Sequence, residues 1–258
     1  VGLVILGAAA WIPTCGALTC LAARGLFLVG ATSGTYLGSK RIATWQQAVL
    51  RQMLDQLPQA LVPLSPVQAS IFGAASLEAS RRLLAKLGDK ASWKDYHGLG
   101  TKLRWGHPVK WRPSDARRGR AWSTAFQVQF RAARVFQVLQ RLSLSGSLEP
   151  GCKVLWSRPV DGQPGTTLRY LAFSNWFLSR DFFSVCHAGR DVEADVERYV
   201  LALTALGPDL LRSAGGPQPS EGIEHGSIYI CGVAISSLGE GQGSLVEVMA
   251  DVDPSTPE

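Results

Sequence analysis

The chain has 258 residues, 46% of them hydrophobic and 18% charged, a balance that excludes an intrinsically disordered protein. Its five cysteines, Cys15, Cys20, Cys152, Cys186 and Cys231, are too few and too scattered for a disulfide scaffold or a zinc site. The net charge of +6 and the mean hydropathy of +0.08 are averages over unlike regions. A first residue of Val rather than Met is expected of a fragment or a processed form.

Residues 1–38 carry one charge, Arg24, among aliphatic, small and aromatic residues. As helix this stretch would run about 57 Å against a hydrocarbon core of about 30 Å, and Pro13 interrupts it. Two membrane readings stand: a broken or hairpin-like segment, or a cleaved targeting peptide followed by one span. A buried soluble helix is the third. Gly30, Gly34 and Gly38 recur every fourth residue, a face on which two helices can approach closely and self-associate; a flexible Gly/Ala-rich stretch is the plainer reading. Lys40 and Arg41 follow as a cationic stop at a membrane surface.

Residues 39–75 are expected to form a helical linker. Ile42, Trp45, Val49, Met53 and Leu57 give 41–60 an amphipathic period before Pro58, Pro63 and Pro66 break it. A second helix is predicted over 67–87, with Ile71, Leu77, Leu83, Leu84 and Leu87 apolar and Gly88-Asp89 closing it. Phe126, Val128 and Phe130 alternate with polar residues and mark a strand with one buried face. A short helix follows over 132–142, carrying Val135, Phe136, Val138, Leu139 and Leu142. Cys152–Val160 and Thr166–Trp176 flank a hairpin turn at Asp161–Gly165. Asp181–His187 and Tyr199–Leu206 are further strands, and 228–238 with 244–252 flank the Gly-rich turn at 239–243. The fold class is therefore α+β, an antiparallel sheet with helices before it and one inserted between strands.

Charge divides the chain. Residues 1–80 hold 4 basic and 2 acidic side chains, residues 81–141 hold 15 and 3, and residues 142–258 hold 7 and 15. Trp93, Trp105, Trp111 and Trp122 are interleaved with the basic block. Such a mixture suits an anionic membrane surface or, less well, a nucleic acid; the alternative is a solvated basic face whose tryptophans belong to the core. No P-loop, dinucleotide fingerprint, HExxH or GxSxG is present. His97, His107, His187 and His225 have no ligand-like spacing, and adjacent Cys186 and His187 would point to opposite faces of a strand. The alternating Asp191, Glu193, Asp195 and Glu197 read as a solvated edge. No catalytic residue, metal or cofactor is expected.

The run Ser179-Arg180-Asp181-Phe182-Phe183-Ser184-Val185 resembles the S/P-R-D-F-x-x-V strand of the START lipid-transfer family. Ser92-Trp93-Lys94 after a helix, Phe126–Phe130 before Val135–Leu139, Glu224-His225-Gly226, and Asp251-Val252-Asp253-Pro254 resemble further family stretches in the same order. The likeness runs from residue 76 to the end. It implies a helix-grip fold at 76–258, a curved antiparallel sheet wrapped around a C-terminal helix and enclosing an apolar tunnel for one lipid. The chain ends where the family continues into that helix, so a truncated tunnel is expected. Sterol-binding members carry a basic residue where this chain has Cys186, which puts sterol specificity in doubt. Phe126, Val128 and Phe130 are expected to line the tunnel, with Arg169, Tyr199, Glu224 and His225 as candidates for a lipid hydroxyl or headgroup.

The reading is of a membrane-anchored START-like protein, its folded part facing an aqueous compartment expected to be the cytoplasm, which binds and transfers a sterol, phospholipid or sphingolipid. The alternative is a membrane-tethered interaction module with the same fold and no tunnel. A small-molecule enzyme on this fold would need a polar dyad inside the cavity, and the sequence offers no clear pair.

Overall fold

The computed structural model describes residues 63–96, 107–115, 119–145, 152–174, 179–191, 197–216, 224–239 and 242–253. The hydrophobic 1–38 segment, with its Gly30, Gly34 and Gly38 face, and the 41–60 helix lie outside them. Among the described residues no helix is long and apolar enough to cross a membrane.

Helix α1, Pro66–Gly88, begins where the sequence provides a complete N-terminal cap. The Ser65 amide donates to Gln68 Oε1 at 2.8 Å, and the Gln68 amide donates to Ser65 Oγ at 3.2 Å. Pro66 in the first turn loses no hydrogen bond that a helix would have made there. The buried stripe is Ala69, Phe72, Ser76, Ala79, Leu83 and Leu87, while Ile71 and Leu77 are exposed. Of the expected apolar face, Leu83 and Leu87 are buried and Leu84 partly so, while Ile71 and Leu77 are corrected to exposed positions. Spacing of three and four places Ala69, Ser76 and Ala79 against the sheet in their stead, and these small residues let the helix lie close to it.

Ten strands among the described residues form one curved sheet. They are β1 (Lys94–Asp95), β2 (Val109–Pro113), β3 (Arg120–Val128), β4 (Cys152–Pro159), β5 (Thr166–Ser174), β6 (Ser179–Asp191), β7 (Arg198–Ala205), β8 (Glu224–His225), β9 (Ser227–Ser237) and β10 (Ser244–Asp253). The spatial order is β1-β2-β3-β10-β9-β7-β6-β5-β4, antiparallel throughout, with β8 lying parallel to β6. Helix α2, Ala132–Ser145, connects β3 to β4, and the short α3, Pro208–Ser213, follows β7.

The β3 strand ends at Val128, so Phe130 stands beyond it, where its carbonyl accepts a hydrogen bond from Ser244 Oγ. Pairing with β10 starts at Ser244↔Val128, directly after the turn that closes at Gly243, and among the described residues no strand pairs with Phe130. A Cβ at Gly243 would stand 2.2 Å from the Val128 carbonyl oxygen, so the turn requires glycine there.

Helices occupy opposite faces of the sheet. On the α1 side, Phe72, Leu83, Leu168, Tyr170, Val185, Val200, Ile230 and Met249 are almost wholly buried. On the α2 side, Ala132, Phe136 and Leu139 pack on Leu201, Val233, Val246 and their neighbours. Helix α2 packs on β7, β9 and β10 and reaches β4, so it passes over the intervening β5 and β6.

Candidate functional site

Alternation along each strand divides the sheet into two chemistries. The face beneath α2 carries Leu171, Phe182, Leu201, Leu203, Val233, Ile235, Val246 and Val248 in one cluster. Around it Phe126, Val128, Val154, Tyr199 and Val252 are only partly buried. Tyr199 stacks on Phe136 of α2 with ring centroids 4.9 Å apart, and His107 stacks on Phe126 at 5.2 Å. The Tyr199 hydroxyl points the other way, donating to Glu197 Oε1 at 2.9 Å, and this bond raises its pKa. The ring of Tyr199 thus belongs to the apolar face and its polar end to the rim.

Buried polar side chains interrupt this apolar face at its β5–β6 end: Arg180 on β6 and, four residues along, the pair Arg169 and Ser184. Arg169 on β5 and Ser184 on β6 are register partners, and both are buried, at 2% and 0% exposure. One guanidinium nitrogen, Nη1, donates to Ser143 Oγ in the last turn of α2 at 2.5 Å. Arg169 Nε and Ser184 Oγ have no hydrogen-bond partner. Among the described residues no carboxylate pairs with Arg169. Beside them lies Cys186, whose thiol is pushed up by burial, an effect that the Arg169 charge partly offsets. Cys186, Leu203 and Cys231 form one transverse row over β6, β7 and β9, and the two sulfurs are thiols rather than halves of a disulfide.

Asp181, at the other end of the R-D-F-F-S-V run, faces the α1 side and is wholly buried. Its Oδ2 accepts from the Tyr170 hydroxyl at 2.5 Å, and its Oδ1 meets His225 Nδ1. The Gly226 amide donates to the Asp181 carbonyl at 3.0 Å. These bonds hold β8 against β6. Asp181 holds the His225 imidazole above its ordinary pKa, outweighing burial, which acts downward. Next to this group is a cavity of about 420 Å³ lined by Arg82, Phe183, Thr204, Tyr229 and His225 among others. The pairing of Asp181 with His225 joins positions 44 apart in the chain, and no local pattern in the sequence signals it.

Of the predicted site residues, Arg169, Tyr199, Phe126 and Val128 share the α2 face but are spread along it: Phe126 and Val128 lie on β3, five strands from Arg169 on β5, with Tyr199 between them on β7. His225 lies at the separate cavity beside α1. Glu224 is in β8 opposite Arg180, and Phe130 sits past the end of β3. Sequence reasoning missed Ser184. Its signal was the period-2 set 182, 184, 186 facing the period-2 set that contains Arg169.

The tryptophans of the basic block divide between core and edge. Trp93 is buried, donating from Nε1 to the Lys86 carbonyl at 2.9 Å, with the Arg112 guanidinium 5.5 Å above its ring. Trp111 is half-buried near the β1–β2 edge, with Lys94 and Arg120 at 5.4 and 4.5 Å from its ring centre. Among the described residues no three His, Cys, Asp or Glu side chains stand together as a metal site.

No family model matches the sequence, and no curated protein matches it. Solved structures do. The human StAR-related lipid transfer protein 5 superposes with a TM-score of 0.54 at 17% identity, covering 73% of this chain and 85% of that one. Human STARD10 superposes with a TM-score of 0.49 at 14% identity, covering 69% and 68%. At such identities the likeness concerns architecture. With its curved antiparallel sheet, its inserted helix and its R-D-F strand, the chain has the START-like helix-grip fold.

Proposed function

We propose that the chain binds one lipid on the α2 face of its sheet and transfers it between membranes, without a catalytic step. The observation that carries this reading is the extended apolar face over β5, β6, β7, β9, β10 and β3, whose margin at Phe126, Val128, Val154 and Tyr199 remains partly open. Each methylene of a lipid tail laid on it contributes about 0.8 kcal/mol, so affinity needs no covalent chemistry. The START-like fold supports the same reading.

On this reading residues 1–38 anchor the chain and raise the concentration of its folded part at one membrane. The folded part faces the cytoplasm, and the basic β1–β2 edge meets anionic headgroups. The test is extraction of labelled lipid from liposomes, with native mass spectrometry of the purified chain. A stoichiometric lipid adduct and transfer to acceptor vesicles are expected. A chain that carries no lipid and transfers none would instead be an interaction module on the same fold.

A further inference from the structure

We propose that the lipid bound on the α2 face is anionic, and that Arg169 and Ser184 receive the oxyanion of its carboxylate or phosphate headgroup. The inference rests on the lipid-binding reading above and assigns the polar end of that site.

A guanidinium is charged at any pH a protein meets, and burying it is costly unless charge and hydrogen bonds compensate. Arg169 is 2% exposed and has one neutral acceptor, the Ser143 hydroxyl. Its Nε–H is unmatched, and the Ser184 hydroxyl across the β5–β6 ladder is unmatched too. Side chains opposed in an antiparallel pair have their Cβ atoms about 5 Å apart, close enough for two donors to share one acceptor group. The missing partner is therefore an acceptor that carries negative charge.

Its surroundings say what the acceptor is attached to. Leu171 and Phe182 share the α2 face with Arg169, and beyond them the face is apolar across β7, β9 and β10. A headgroup at Arg169 therefore has apolar surface leading away from it across the sheet. A sterol hydroxyl would supply an acceptor but no charge.

The experiment compares oleate, 1-oleoyl lysophosphatidate and oleyl alcohol, which share one tail, for binding to the full chain. Charge-assisted hydrogen bonds favour the anions by about ten- to a hundredfold over the alcohol. In Arg169→Gln this preference disappears, and the anions bind no more tightly than the alcohol. Arg169→Lys retains part of it. Ser184→Ala, which keeps the guanidinium and reduces volume only slightly, weakens the anions severalfold and keeps the assay informative if Arg169→Gln does not fold.

Whichever of oleate and lysophosphatidate binds tighter identifies the headgroup as carboxylate or phosphate. Oleyl alcohol bound as tightly as oleate by the unmodified chain overturns the inference and leaves lipid binding standing. Displacement of oleate by millimolar inorganic phosphate with no tail requirement overturns it in favour of a free-anion site. Binding of none of the three overturns both readings.

Discussion

The side chain with the largest structural consequence outside the apolar face is Asp181, because groups from β5, from β8 and from the β8–β9 junction converge on it. Tyr170 and His225 share its carboxylate, and Gly226 takes its carbonyl. His225 titrates above its unfolded value of about 6.5, so its pairing contributes in full below that pH and is lost as pH rises through the folded value. His187 works in the opposite sense. Burial lowers its pKa, so it costs stability only as pH falls below about 6.5. The melting temperature is therefore expected to fall as pH rises above about 6.5, and His225→Ala should flatten that decline. Thermal denaturation followed by circular dichroism across the range is the check. An unchanged slope in the variant would remove His225 from the account.

At the scale of elements, the β4–β5 turn is where the hairpin meets both β6 and α1. Gly165 has φ +77°, its carbonyl accepts from the Ala188 amide at 2.8 Å, and a Cβ there would stand 2.4 Å from the Ala188 carbonyl oxygen. On the α1 side of the same turn, Ser76 and Thr166 hydroxyls share a hydrogen bond of 2.7 Å. Gly165→Ala combines left-handed strain with a backbone collision, for a loss of about 2–4 kcal/mol in urea unfolding. Gly162→Ala, also at positive φ but with nothing within 4 Å, should lose only about 1–2 kcal/mol.

This hairpin, the β9–β10 hairpin and both long helices were legible in the sequence, because turn residues and periodicity mark them locally. The two-residue strands β1 and β8 were not, since pairing with distant partners defines them and no period can. On α1, Leu83 and Leu87 were read correctly as buried, whereas Ile71 and Leu77 were misread because side-chain size was given more weight than spacing. In the site, Arg169 was legible as a cation within an apolar alternation. Ser184 and the Asp181–His225 pair were not, because each depends on strand register.

Across the whole molecule, the basic block contributes Lys94, Lys110, Arg112 and Arg120 to the β1–β2–β3 edge, where part of the nearby charge is already spoken for. Arg112 reaches Asp115 at 3.0 Å and Asp89 at 3.8 Å, while Lys90 pairs with Glu247. Lys94 and Arg120 are exposed against Trp111, an arrangement suited to headgroups above a ring that can sit at their level. Removing both charges in Lys94→Ala/Arg120→Ala should lower partition onto phosphatidylserine vesicles roughly thirtyfold at low salt, at about 1 kcal/mol per cation. Added salt should narrow the gap. Co-sedimentation measures this, and equal partition of both proteins would remove the edge from the membrane contact.

The row of Cys186, Leu203 and Cys231 has a consequence for redox chemistry. One strand intervenes between the two cysteines, so their backbones are about 9–10 Å apart, whereas a disulfide needs Cα atoms within about 7 Å. Oxidation cannot join them unless β7 leaves the sheet. Burial also keeps the Cys186 thiol protonated and slow to react. With respect to this pair, the α2 face keeps the same apolar character in an oxidising compartment as in a reducing one.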